Sequence, residues 1–290
     1  MFKGYELKRV SGEGAEINLR IGGKGPPLLL IHGYPQTHVM WAPLAKRLAA
    51  TFTVVCPDLR GYGDSSKPDP GDDHSGYSKR AMANDLVRVM EELGFDRFSV
   101  AGHDRGARVT HRMMLDHEAR LERAAVLDIA PTLAMYEGTD MAFAKAYYHW
   151  FFLIQPADFP ERLIGGDPEF YLRSTLAAWS GTKDFYSEEA FAEYLRCFSD
   201  PATIHATCED YRAGASIDLT LDRADLGRKS SVPLLVLWGE KGLVGRTYDV
   251  LSIWKERAHR VEGRALPCGH FVPEEQPEAT ADALIEFFHR

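Results

Sequence analysis

Apolar, β-branched runs bounded by turn residues recur along the chain at 15–21, 27–31, 53–56, 98–101, 124–127, 233–237 and 260–265, and they predict strands. Several of these runs are apolar throughout, as parallel strands covered on both faces tend to be. Helical patterns lie between them at 40–50, 79–93, 105–117 and 275–289. Alternating strand and helix predicts an α/β fold with a mostly parallel sheet flanked by helices. One stretch breaks the alternation. From 132 to 226 no strand pattern is present, and aromatic residues crowd in: Tyr136, Tyr147, Tyr148, Trp150, Phe151, Phe152, Phe170, Tyr171 and Trp179. A structureless loop of that length is uncommon, so a helical insertion is expected. The expected division is a core domain of 1–131 and 227–290, with a cap of 132–226.

Composition narrows the partners. At 290 residues and 45% hydrophobic content, the chain can bury a large core. A net charge of −8 argues against nucleic acid, whose phosphates call for a basic face. Cys56, Cys197, Cys208 and Cys268 are widely spaced with no CxxC pair, so no zinc site is expected. The first residues lack the apolar core of a signal peptide, and no run is long enough to cross a membrane. The expectation is a reduced cytoplasmic protein with no membrane partner.

The strongest chemical signal is Gly102-His103-Asp104-Arg105-Gly106, between a predicted strand and a predicted helix. This is the G-x-nucleophile-x-G elbow, in which small residues on either side let neighbouring chains approach. Serine usually occupies the middle position; here it is Asp104. Asp is also a good helix N-cap, but capping does not account for both glycines. A carboxylate nucleophile attacks an electrophilic sp³ carbon and becomes an alkyl ester, which water then cleaves. On this fold the two main substrate classes are alkyl halides and epoxides.

The general base is expected after the last strand, where Pro267-Cys268-Gly269-His270-Phe271 stands. Among 11 histidines, His270 alone has the right order and context. It would take a proton from water, since Asp104 is ionised at neutral pH. His38, His74, His205 and His289 carry no comparable context and are expected at the surface. The acid that orients His270 is Asp128, at the end of the strand after the nucleophile strand, or Glu240, after the penultimate strand; no Asp follows Gly239, which favours Asp128. His32-Gly33-Tyr34-Pro35 follows a buried strand and resembles an HGxP turn. Its Tyr34 N–H, with the N–H of Arg105, would form the oxyanion hole.

Arg105 and Arg108 are three residues apart at a helix N-terminus and share a face. Two cations at the positive end of a helix call for an anion. A carboxylate on the substrate, beside the reacting carbon, would supply it; the alternative is an acidic residue of the insertion. Arg112 continues the spacing and is expected to point to solvent.

Gly102 to Arg108, read as GHDRGAR, resembles the nucleophile motif of the fluoroacetate (haloacetate) dehalogenases of the α/β-hydrolase superfamily. The resemblance covers essentially the whole chain. It includes the HGYPQ turn at 32–36, Asp128-Ile129-Ala130-Pro131, Tyr148-His149-Trp150, Asp210-Tyr211-Arg212-Ala213 and Cys268-Gly269-His270-Phe271. It implies a small haloacid substrate with water as co-substrate, no metal or organic cofactor, and a homodimer. It also implies that His149, Trp150 and Tyr211 hold the halide while the two arginines hold the carboxylate. The competing enzyme is an epoxide hydrolase, with Tyr147, Tyr148 and Tyr211 as candidate acids; against it, such enzymes usually carry an apolar aromatic where Arg105 stands. A non-catalytic binding protein on the same scaffold would be expected to lack a triad member, and none is missing.

Overall fold

The computed structural model describes residues 1–183 and 185–290. Eight strands form one sheet in the order β1-β2-β4-β3-β5-β6-β7-β8: β1 Glu6–Ser11, β2 Glu16–Gly23, β3 Pro27–Ile31, β4 Thr53–Pro57, β5 Phe98–His103, β6 Leu121–Leu127, β7 Leu234–Gly239 and β8 Val261–Leu266. Strands β3 to β8 are mutually parallel, while β2 runs antiparallel to both of its neighbours. β5 lies near the middle and is buried at every position, which explains its unbroken apolar run.

β1 was absent from the sequence expectation. It is an edge strand of sequence ELKRVS with no fully buried position, so it lacks the apolar face that marks the others. The helix expected over 40–50 is a 3₁₀ turn, His38–Trp41, followed by a helix at Ala42–Leu48. Pro43 sits in the first turn of that helix, where a missing N–H costs nothing. The C-terminal helix is likewise split into Val272–Glu275 and Pro277–Phe288, because the residue before a proline disfavours helical backbone.

Helices Lys79–Glu92 and Arg105–Asp116 pack together, as do Ala42–Leu48 and Pro277–Phe288. Between β6 and β7 every element among the described residues is helical, from Thr132–Glu137 to Ile217–Ala224. Two of these elements bear on the site, His149–Phe152 and Pro201–Ala215.

Candidate active site

Asp104 joins β5 to the helix Arg105–Asp116, with φ 47° and ψ −116°. Such a backbone is unfavourable for a residue with a side chain and persists only where the surroundings impose it. Here the imposition is close packing. A Cβ on Gly102 would lie 2.3 Å from the Gly106 carbonyl oxygen, and one on Gly106 would lie 2.4 Å from the carbonyl oxygens of Ile31 and His32. The Asp104 carboxylate makes no cap hydrogen bond to its own helix. It turns instead toward the HGYP loop, where Tyr34 N–H donates to Oδ1 at 2.8 Å.

His270 approaches from the loop after β8. Its Nε2 lies 3.7 Å from Asp104 Oδ2 and has no hydrogen-bond partner among the described residues. Its Nδ1 lies 2.7 Å from Asp128 Oδ2, and Gly239 N–H donates to Asp128 Oδ1 at 2.9 Å. Glu240 is exposed and takes no part in this line. Asp128 too has a positive φ, 52°, so both carboxylates that flank His270 sit on strained backbone. Burial alone would lower the His270 pKa, but the hydrogen bond and charge of Asp128 and the charge of Asp104 outweigh it and raise the pKa above its ordinary value. Burial raises Asp128, partly offset by His270. Burial would also raise Asp104, yet His270, His103, Arg105 and Arg108 hold it below the ordinary carboxylate value. Asp104 is therefore an ionised carboxylate at neutral pH.

The two arginines are not equivalent. Arg105 donates through Nε to Asp210 Oδ2 at 2.9 Å and through Nη2 to Asp210 Oδ1 at 2.7 Å. Asp210 also accepts from Tyr62 Oη at 2.6 Å and from Lys79, which is paired in turn with Asp218. Two cations and two anions thus close a buried network. The acidic partner from the insertion, open as an alternative for both arginines, is realised for Arg105. Arg108 has none. Its Nη1 donates to the Ala130 carbonyl at 3.1 Å and to Thr132 Oγ1 at 3.0 Å, Nη2 lies 3.1 Å from Met135 Sδ, and Nε has no partner. Among the described residues no carboxylate lies within ion-pairing distance of it. Burial and the neighbouring Arg105 lower its pKa, the mark of an under-compensated buried cation. Arg112 is a correction: it is buried and ion-paired with Asp116 and Asp225 rather than pointing to solvent. His38 is another, buried against Asp58 at 2.8 Å, while His74 and His205 are half-buried and His289 is exposed.

His149, Trp150 and Tyr211 come together over this centre. The His149 and Tyr211 rings are 5.5 Å apart, and those of Trp150 and Tyr211 6.4 Å. The Arg105 guanidinium lies over Tyr211 at 4.0 Å and that of Arg108 over Trp150 at 4.6 Å. His149 Nδ1 and Tyr211 Oη are buried and have no partner among the described residues. Burial drives the His149 pKa well down and the Tyr211 pKa well up, so both are neutral at pH 7, and Asp104 is among the charges that act on each. Buried polar atoms normally find partners. Here His149, Tyr211, His270 and Arg108 all leave one open around the same carboxylate.

Two residues of this neighbourhood escaped the sequence reading. Asp210 precedes Tyr211 in the chain, and nothing in its sequence context signals the pairing with Arg105. Glu275 anchors the His270 loop: it accepts from the N–H groups of Gly269 at 2.9 Å, Phe271 at 3.0 Å and Gly181 at 2.8 Å. Only its position soon after the histidine could have signalled it.

A nucleophile elbow in a mainly parallel sheet, facing a histidine from the loop after the last strand, defines a hydrolase. A family model for the alpha/beta hydrolase fold matches residues 26–277, and the chain belongs to that family. It is 47% identical over 288 residues to a fluoroacetate dehalogenase of Burkholderia sp, covering 99% of this chain and 95% of that one. It is 36% identical over 292 residues to a soluble epoxide hydrolase of Corynebacterium sp. (strain C12), covering 99% and 95%. Among solved structures, an alpha/beta hydrolase crystal structure from Nostoc sp PCC 7120 superposes with a TM-score of 0.98 at 59% identity, covering 99% of both chains.

Proposed function

We propose that this enzyme hydrolyses the carbon–halogen bond of haloacetates, with fluoroacetate giving glycolate and fluoride. The observation that carries the reading is Arg108, a buried cation with no carboxylate partner among the described residues, beside an ionised Asp104. A neutral epoxide would leave that charge uncompensated, whereas a substrate carboxylate pairs with it. Arg105 contributes its remaining donor capacity and its charge, while Asp210 fixes its position.

Asp104 Oδ1 is held by Tyr34 N–H, which leaves Oδ2 to attack. Oδ2 displaces the halide from the substrate carbon, and the halide leaves with the bonding pair. His149, Trp150 and Tyr211 donate to it as its charge grows, which is where donors accelerate a reaction. The product of this step is an ester on Asp104. His270 Nε2, unpartnered and held by Asp128, takes a proton from water, whose oxygen attacks the Asp104 carbonyl carbon. The Tyr34 and Arg105 N–H groups hold the resulting oxyanion. Collapse expels the glycolate alkoxide, which takes the proton from His270, and leaves Asp104 as a carboxylic acid carrying one oxygen from water; loss of that proton to solvent restores the carboxylate.

Within this reading the helices of 132–226 form a cap over the core, no cofactor is required, and the enzyme works in the cytoplasm as a homodimer. Phe159, Leu163 and Phe170, exposed on two consecutive cap helices, support an association surface, and sedimentation tests the dimer. Among the described residues no helix is long and apolar enough to cross a membrane. The epoxide-hydrolase reading has the 36% identical relative in its favour. Against it, Tyr148 is 50% exposed, and Tyr147 Oη lies 3.4 Å from His270 Nδ1.

The experiment is a single turnover of the enzyme on fluoroacetate in ¹⁸O-water. The label is expected in Asp104 and not in glycolate. His270→Ala should release at most one equivalent of fluoride and stall as the carboxymethyl ester. Label arriving directly in glycolate would make Asp104 a base and refute the mechanism; epoxide opening without halide release would favour the second reading.

A further inference from the structure

A cavity of about 450 Å³ runs from the surface to His270, and Tyr147 and Trp179 line it beside that histidine. These three rings pack closely, with centroids 6.2 Å apart for Tyr147 and His270, 5.6 Å for Trp179 and His270, and 5.7 Å for Tyr147 and Trp179. Beyond them lies Asp104, 3.7 Å from His270 Nε2. At the surface the lining residues include Lys145, Lys241 and Arg246, all exposed. Lys145 comes from the helix Met141–Ala146 of the insertion, while Lys241 and Arg246 follow β7 in the core.

Among the described residues no acidic side chain lines this cavity. Arg246 Nε donates to the Gly242 carbonyl at 3.1 Å, and among the described residues none of the three cations is ion-paired with a carboxylate. Glu240 is beside Lys241 in the chain but does not line the cavity. In a chain of net charge −8, three unpaired cations around one opening run against the average field. A competing explanation is that Lys145 and Arg246 simply sit in the last turns of short helices, where cations offset the helix dipole. That accounts neither for Lys241 nor for the lack of acidic side chains among the described lining residues.

We propose that this cavity is the approach channel for the anionic substrate, and that Lys145, Lys241 and Arg246 form a cationic collar that concentrates small carboxylates at its mouth. The proposal rests on the reading of the substrate as a haloacid. A field of one sign at a cleft raises the local concentration and encounter rate of an oppositely charged ligand by roughly 10- to 1,000-fold, and salt screens it over about 10 Å at 0.1 M. The collar touches no reacting atom, so it acts on KM and not on kcat.

The test is steady-state halide release from chloroacetate at low and high ionic strength. It compares wild type, the triple variant Lys145→Gln, Lys241→Gln, Arg246→Gln, and a control that removes three remote exposed cations, Lys3→Gln, Lys24→Gln, Lys229→Gln. Wild type should lose affinity as salt rises. The collar variant should show a KM raised about tenfold at low salt, a flattened salt response and a near wild-type kcat, with the control unchanged. A collar variant with wild-type KM and salt response would overturn the channel, as would a lowered melting temperature with KM intact, which would leave only a helix-dipole role. Halide release by wild type with no change in the collar variant refutes the channel alone. No halide release by wild type refutes the haloacid reading and the channel with it.

Discussion

Replacing Arg108 with Met tests the haloacid reading at the residue that carries it. Met roughly keeps the length of the side chain and removes the charge. A bidentate guanidinium–carboxylate contact comprises two charge-assisted hydrogen bonds of about 1.5–3 kcal/mol each. Their loss costs about 3–6 kcal/mol, or roughly 10²- to 10⁴-fold in kcat/KM at 1.4 kcal/mol per decade. Stability should behave differently. Arg108 is buried with no counter-ion among the described residues, and an uncompensated buried charge costs several kcal/mol. The substitution removes that penalty while leaving the Ala130 carbonyl and Thr132 Oγ1 without their donor, at about 1–3 kcal/mol each. The two effects are of similar size, so the melting temperature should stay within a few degrees of wild type. A third measurement isolates the anion. Glycolate at a hundred times its dissociation constant stabilises wild type by about 2.7 kcal/mol, and the Met variant should lose that response. Chloride and fluoride electrodes give the kinetics, and calorimetry with and without glycolate gives the rest. A variant with kcat/KM within a few-fold of wild type, or one that glycolate still stabilises, would show that Arg108 serves the fold and not the substrate.

Three further outcomes follow from the same geometry. Asp128→Asn removes the acceptor that sets the His270 tautomer and should slow ester hydrolysis by about 10²- to 10⁴-fold while single-turnover halide release survives; a silent Asp128→Asn with a crippled Glu240→Gln would reverse the assignment. Trp150→Phe keeps the ring beneath Arg108 and deletes one N–H donor, so defluorination should fall much further than dechlorination, and equal losses would mean that Trp150 only packs. Glu274, buried against Tyr194 and Gln36, has its pKa pushed up to about 8 by burial. Because this folded value lies above the unfolded one, the neutral carboxyl's stabilisation is full below pH 4.5 and is lost as pH rises through 8, on the order of 5 kcal/mol in all. Glu274→Gln should therefore gain on wild type between pH 5 and 9 in urea unfolding, and a difference that does not vary with pH would contradict it.

The elements read most easily from the chain were those whose signal is contiguous. The elbow around Asp104 is five residues long, and its glycines are required by contacts that any such turn makes, so its position was legible without a structure. The buried strands β3 and β5 were legible because both faces are covered, whereas β1 was not, since its exposed edge carries no apolar pattern. His270 and Asp128 could be placed by their order relative to strands, though the 2.7 Å contact between them spans 142 residues of chain. Charge compensation was the part that order could not reach. Arg105 and Arg108 look alike in sequence, one helical turn apart on one face. What separates them is Asp210, 105 residues downstream from Arg105, which the fold brings onto one guanidinium and not the other. Electrostatic energy depends on distance and burial through space, and neither is written in sequence spacing. The sequence thus determined which reactive groups the protein has and on which turns they stand. Only the tertiary structure decided which of its buried charges find a partner and which, like Arg108, find none among the described residues.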